Sequence, residues 1–523
     1  MLDQKSLQPL DRVAIALMTT MSIVIVIMLM NGVYTAPRVR NFSWQDKTVS
    51  AEDTAFILTF NRPMDRESVE NNMKIEPPLP GKISWAGRKM AYTLINPVPY
   101  GTSFNLHLLG AKDRLIGQEK TVANQPFMGK FKSRDRAFAY IGVDGEEAGR
   151  LVLYNLTKQS KEILTPEKLV VMDFQPYPSR DRILFAASDR LLADQGFLEQ
   201  KLYTATTGIT PALSRQKDKQ RQAEAGIIET VLDNQDYRNL KFDLSPDGQT
   251  IVVQRINRRD SGDMSLWVVR PGTKPQPLNS KSGGEFTITP DSRAIAMTQG
   301  QGIAILPLDP DLEVVSRDAH PVARLPGSDR GGRSRSADGP KNRTREVQPI
   351  DFLPKFGMVL DFAPDGSAAM VKFNPDYTRS LFLLSNSEPK KLLDTTGSIT
   401  SCQFDPSKTT LYCLLSQLFQ SDEIYQELPY IAAIDLKTGN QIPLLALPTD
   451  RRDMQISLSP DGLALLFDQT ISNPNAAQAI GQNQGPNSSS LWLLPLVNIV
   501  PQQGQQLQPQ ELPWRGFRPR WLP

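Results

Sequence analysis

The chain has 523 residues, with 59 Lys and Arg against 56 Asp and Glu. A net charge of +3 argues against a protein organised around nucleic acid. A hydrophobic fraction of 40% argues against a polytopic membrane protein, and two Cys and two His leave little for a disulfide scaffold, a metal centre or a histidine-based triad. The 41 Pro and 33 Gly point to many turns and short elements.

In chain order, residues 1–12 are a short polar segment, expected on the cytoplasmic side. Val13 to Met30 (VAIALMTTMSIVIVIMLM) is an uncharged run of 18. Extended to Ala36, it is long enough for a hydrocarbon core of about 30 Å. A cleaved signal peptide would carry a shorter apolar region and a small-x-small site. Here Tyr34 puts a ring at the −3 position, so residues 13–36 are expected to stay as a transmembrane anchor. Lys5 and Arg12 precede the run, and Arg38, Arg40 and Lys47 follow it, so charge alone does not orient it.

From Ala51 the pattern becomes one of short strands: Phe56–Phe60, Met73–Ile75, Lys82–Trp85, Met90–Leu94 and Phe104–Leu108. In the last of these Phe104, Leu106 and Leu108 alternate with Asn105 and His107, which sets His107 on the wet face. LTFNRPMDRESVENNMKIEP followed by YGTSFNLHLLGAKDRLIG resembles the bacterial Ig-like domain of S-layer and other envelope proteins. Gly110, Asp113 and Gly117 occupy that family's glycine–aspartate corner with one extra residue. The resemblance spans residues 38–133. It implies an extracytoplasmic β-sandwich without catalysis, and so places the bulk of the chain outside the plasma membrane.

Residues 134–523 repeat one unit. A strand enters a turn and a second leaves it at 174–187, 242–254, 286–298, 362–373, 404–415 and 458–468. The turn prolines are Pro178, Pro246, Pro290, Pro364, Pro406 and Pro460, with a base period of roughly 43 residues. Proline presets φ, aspartate accepts local backbone bonds, and glycine supplies positive φ. Third strands follow at 201–203, 265–269, 302–306, 380–384, 431–435 and 490–494, with a polar fourth such as 390–393. Four strands per repeat describe a β-propeller blade. The Ser-Pro-Asp-Gly turn resembles that of TolB-like propellers, which implies a periplasmic setting. Residues 214–225, 326–345, 470–489 and 501–510 are polar insertions, and basic 326–345 is expected to be disordered.

The first blade lacks an inner strand. Arg136–Ile141, Arg150–Tyr154 and Lys161–Leu164 supply its second to fourth, while 126–132 belongs to the sandwich. Trp514–Pro523 (WRGFRPRWLP) resembles a strand leading into the repeated turn, so it is expected to pair with Phe138–Ile141 and close the ring at seven blades, with six as the alternative.

Cys402 and Cys413 flank the turn at Pro406. A four-residue turn sets them opposite each other and able to oxidise; a turn with Asp405 opposite Thr409 sets them on opposite faces. The second register is taken as that of the repeats, so free thiols are expected.

No Gly-x-Ser-x-Gly elbow, phosphate loop or dinucleotide fingerprint occurs. His107 and His320 fall in different modules, and Asp247, Asp291, Asp365 and Asp461 recur as turn residues. No catalytic, cofactor-binding or metal-binding residues are assigned, and no cofactor is expected. The expectation is an all-β, single-pass plasma-membrane protein. Its propeller would act as a non-enzymatic platform for another envelope protein or cell-wall component. The alternative is an extracytoplasmic lyase or hydrolase working at the propeller channel.

Overall fold

A computed structural model describes residues 9–32, 36–114, 124–194, 199–210, 224–281, 283–309, 347–385, 388–421, 424–448, 454–470, 489–496 and 507–523. Residues 326–345 and His320, Gly117, and nearly all of the other insertions lie outside them. The chain divides into two compact units, Met1–Val98 with Thr102–Arg134, and Pro99–Gly101 with Asp135–Pro523.

Helix α1 spans Pro9–Gly32. Its side chains are described from Val13 to Met28 and all are exposed. Thr19 and Thr20 return their hydroxyls to the carbonyls of Ile15 and Ala16, at 2.5 and 2.6 Å. Among the described residues no helix is long and apolar enough to cross a membrane.

The rest of the first unit is a β-sandwich. Its strands are β1 (Val39–Phe42), β2 (Thr48–Val49), β3 (Ala55–Phe60), β4 (Met73–Glu76), β5 (Gly81–Ala86), β6 (Lys89–Leu94), β7 (Ser103–Leu108) and β8 (Phe127–Ser133). They form two four-stranded sheets, β1-β3-β6-β5 and β2-β8-β7-β4. Alternate residues of β3 and β7 point inward, so Phe56, Leu58, Phe60, Phe104, Leu106 and Leu108 share one core with Trp44 and Phe131. Between β3 and β4, helix α2 (Arg66–Asn72) is capped by Asp65, which accepts from the Ser68 N–H. His107 is half-buried, 4.0 Å from Glu76. Gly110 takes φ +79°, and Asp113 is buried against Arg62 at 3.1 Å.

The second unit is a β-propeller. Among the described residues it holds five four-stranded antiparallel sheets and one seven-stranded sheet, and no sheet closes on itself into a barrel. The five begin on Leu169–Pro176, Tyr237–Leu244, Phe286–Ile288, Met358–Phe362 and Ile399–Phe404, and are blades two to six. The seven-stranded sheet joins Ala137–Gly142, Leu151–Asn155 and Ser160–Ile163 of blade one to Ile456–Leu458, Ala464–Thr470 and Ser489–Pro495 of blade seven, through the shared strand Gln510–Trp521. All six repeated turns join the first and second strands of a blade, as the sequence predicts.

Each hydrophobic cluster of this unit is drawn from two neighbouring blades. Ala137, Ala139 and Ile141 pack towards blade two, while Phe138 and Tyr140 pack towards Ala464, Leu466 and Leu491 of blade seven. The second strands are therefore buried on both faces, which is why they read as unbroken apolar runs. First strands of adjacent blades touch one another, so they line the common axis.

The turns are more regular than their sequences. The residue two after each turn proline has positive φ: Gly248, Gly366 and Gly462, but also Arg180, Ser292 and Lys408. Asp247 and Asp461 accept from the serine two residues earlier, and Asp291 from Thr289.

The cysteine expectation is corrected. Cys402 and Cys413 are directly paired, with Cα atoms 4.1 Å apart, and form a disulfide. The reason is the register: Ser245 faces Thr250, Thr289 faces Ala294 and Ser459 faces Ala464, so the repeats themselves use four-residue turns. Asp405 faces Thr410 in the same way, and the three-residue turn between Ala363 and Ser367 is the exception.

Candidate functional site

The first strands share one device, fixed by position relative to the turn. The residue three before the turn proline is Gln175, Asp243, Asp361, Gln403 or Ser457 in blades two, three, five, six and seven. Its side chain accepts the backbone N–H two before the proline of the next blade. The Leu244 N–H goes to Gln175 at 2.7 Å, Ile288 to Asp243 at 2.7 Å, Phe404 to Asp361 at 2.9 Å and Leu458 to Gln403 at 2.6 Å. The Trp521 N–H goes to Ser457 Oγ at 3.1 Å. Pro523 thus stands in phase with the turn prolines.

Between blades one and two the chemistry inverts. The equivalent residue of blade two is Pro176, which has no N–H to give. The residue three before Pro523 is Arg520, a donor, and its guanidinium meets Asp173 at 3.4 Å. Arg518 joins it, 3.2 Å from Asp173 and 3.0 Å from the Met172 carbonyl.

The C-terminal strand is held along its whole length. Residues 510–515 pair with Ser489–Pro495 of blade seven. Gly516, Phe517, Arg520 and Trp521 pair with Gly142, Ile141, Ala139 and Phe138, the pairing the sequence suggests. Gly516 is required at the crossover, because a Cβ there would lie 2.7 Å from the Ile141 carbonyl oxygen and collide with the Tyr140 ring. The buried Asp468 accepts the Gln455 and Arg518 N–H groups at 2.7 and 2.8 Å. Trp521 packs edge-on to Phe138, ring centroids 5.7 Å apart.

The electrostatics divide these carboxyls. Burial raises Asp468 and Asp243 above the usual carboxylate range, against the opposing pull of their N–H partners. Asp361 is half-buried as a residue, and desolvation of its carboxyl, opposed by the Phe404 and Phe362 N–H groups, pushes it up to about 7. Burial also raises Asp461, but bonds from Ser459, Arg136 and the Tyr100 N–H outweigh it and hold this carboxyl low. Among the described residues no group of three or more His, Cys, Asp or Glu side chains is placed to hold a metal ion.

The turn residues singled out from sequence therefore serve their own turns. The inner-strand set three residues before the prolines was missed by motif reading. Its signal was phase alone, since Gln, Asp, Thr, Ser and Arg share no motif.

No family model and no curated protein matches the chain. Solved structures to which it is similar include TolB from Acinetobacter baumannii, 11% identical over 86% of this chain and 83% of that one, with a TM-score of 0.38. Oligogalacturonate lyase from Vibrio parahaemolyticus is 10% identical over 61% and 80%, with a TM-score of 0.40. A putative 6-phosphogluconolactonase from Bacteroides fragilis is 9% identical over 74% and 98%, with a TM-score of 0.41. At these scores none carries an argument about activity, and the propeller assignment rests on the strand order and the inter-blade cores described above.

Proposed function

We propose that the chain is a single-pass envelope protein with an anchor at residues 13–36, an Ig-like sandwich at 38–133 and a seven-bladed propeller at 134–523. Its bulk lies on the outer side of the plasma membrane. The C-terminal strand closes the ring, and the propeller is a non-enzymatic platform for another envelope protein or a cell-wall component. One observation carries the platform reading: Gln175, Asp243, Asp361, Gln403 and Ser457 of the inner strands are each committed to the backbone of the next blade, which ties the blades into one frame. The uncharged run continues past the described side chains of α1 to Met30. Two of the three hydroxyls within it, those of Thr19 and Thr20, are satisfied by their own helix, as lipid requires. The Cys402–Cys413 bond fits an oxidising compartment.

A cysteine in place of Gln45 should react with a membrane-impermeant reagent in intact cells, and a mature N-terminus near residue 36 would overturn the anchor. Affinity capture of the detergent-extracted protein should return a reproducible partner that Asp361→Asn also binds. The enzyme reading is favoured by one feature, a carboxyl poised near neutrality at Asp361, which suits general acid work. Turnover of a polysaccharide or peptide, abolished by Asp361→Asn, would decide for it.

A further inference from the structure

A second feature lies away from the axis. Where the C-terminal strand leaves blade seven for blade one, a cleft of about 410 Å³ opens between Pro513–Arg515, the turn Asp144–Glu147 and the outer strand of blade one. That volume falls within the range of small-ligand sites, about 300–1,000 Å³. Trp514 is half-buried, with its ring held against Tyr154 at 3.8 Å between centroids and against Phe138 at 6.0 Å. The indole is thus a fixed apolar plane lining the cleft. Around it the charges are paired. Glu147 takes Lys161 on one oxygen and the Tyr140 hydroxyl on the other at 2.9 Å, and Asp144 lies 3.7 Å from Arg515.

We propose that this cleft binds a saccharide, with one pyranose face stacked on Trp514. An anionic ligand would have to separate a pair already formed, and a cationic one would meet Glu146 alone outside the pairs. A polyol need separate none, because each hydroxyl both donates and accepts. It can take a bond from Lys161 or Arg515 while giving one to Glu147, Asp144 or the exposed Glu146. The apolar C–H face of a sugar ring matches the rigid aromatic plane, and the paired charges are positioned to give charge-assisted bonds at its rim. The proposal deepens the platform reading by naming a glycan as one partner, and it rests on that reading for the compartment alone.

The test is titration of the full-length detergent-solubilised protein with neutral oligosaccharides of hexose and of N-acetylhexosamine, followed by tryptophan fluorescence and by calorimetry. A saturable signal is expected with one of these series. It should be lost in Trp514→Ala and weakened about tenfold in Lys161→Met and Arg515→Gln, which sit on exposed side chains and leave the aromatic packing intact. Absence of saturation in the wild type would overturn the proposal, as would binding unchanged by Lys161→Met and Arg515→Gln, or saturable binding of an oligolysine peptide in place of the sugars. Protein capture surviving such a failure would leave the platform standing without the cleft. Sugar binding lost in Asp361→Asn but kept in Trp514→Ala would move the ligand to the axis and overturn this site.

Discussion

Blade three and blade one follow the same four-strand plan but are assembled in opposite ways. In blade three a single turn, Ser245 to Thr250, joins first strand to second, so the pairing of Leu244 with Ile251 is fixed locally. In blade one the first strand arrives from the other end of the chain, and Trp521 pairs with Phe138 with no turn to set the register. Side chains do that work instead: Asp468 and Ser457 receive the Arg518 and Trp521 N–H groups, and Asp173 receives Arg518 and Arg520. A local turn closes a short loop at small entropic cost, whereas pairing Trp521 with Phe138 closes a loop that spans nearly the whole propeller. The non-local blade accordingly carries the denser set of specific contacts.

The largest expected effect breaks that contrast outright. Removing residues 514–523 exposes the edge of Ala137–Gly142 and uncovers the clusters on both sides of blade one, so the whole propeller should destabilise or aggregate. An unchanged melting temperature would refute closure by this strand. Next in size is Trp521→Ala, expected to cost about 3–5 kcal/mol as a buried aromatic deletion. Trp521→Phe should cost under about 1.5 kcal/mol, because the buried indole N–H has no hydrogen-bond partner to lose. Denaturant melts of the two variants separate packing from polarity.

A smaller effect sharpens the turn side of the comparison. Lys408 occupies the left-handed position that Gly248 and Gly462 fill elsewhere, at φ +57°. Lys408→Gly relieves about 1–2 kcal/mol of backbone cost and forfeits an exposed pair with Asp365 that contributes about 0–1 kcal/mol. The variant should therefore melt at the same or a higher temperature than wild type. Lys408→Ala loses the pair without the relief and should melt lower.

The smallest effect is in pH. The folded chain holds Asp361 protonated up to about 7, while the unfolded chain releases that proton near pH 4. Stability contributed by the protonated carboxyl is thus fully present below about pH 4 and lost as pH rises towards 7. Asp361→Asn should flatten that part of the stability–pH curve and gain on wild type at pH 8. An unchanged slope between pH 4 and 7 would show that Asp361 titrates in the ordinary carboxylate range.

Much of this architecture is readable in the residues. Pro246, Asp247 and Gly248 announce a turn because each supplies one physical requirement of it, and a doubly buried second strand such as Ala137–Gly142 reads as an apolar run. The register around Pro406 was misread because the repeats were taken to set Asp405 opposite Thr409, while the pairing is set by hydrogen bonds such as Asp405 to Thr410. The inner-strand clasps were not legible as a motif. An N–H acceptor can be Gln, Asp or Ser, and the geometry selects only the position. The cleft at Trp514 was equally hidden, since it joins residues 144–163 to 513–515 across nearly the whole propeller.

The most direct test of the closed ring is native-state amide hydrogen exchange, resolved to single residues. The N–H groups of Arg518 and Trp521 should be protected to the same free energy as those of Leu244 and Val253 in blade three, since both sets open only when the ring does. Exchange of Arg518 and Trp521 at the rate of a frayed terminus, with blade three still protected, would contradict the account.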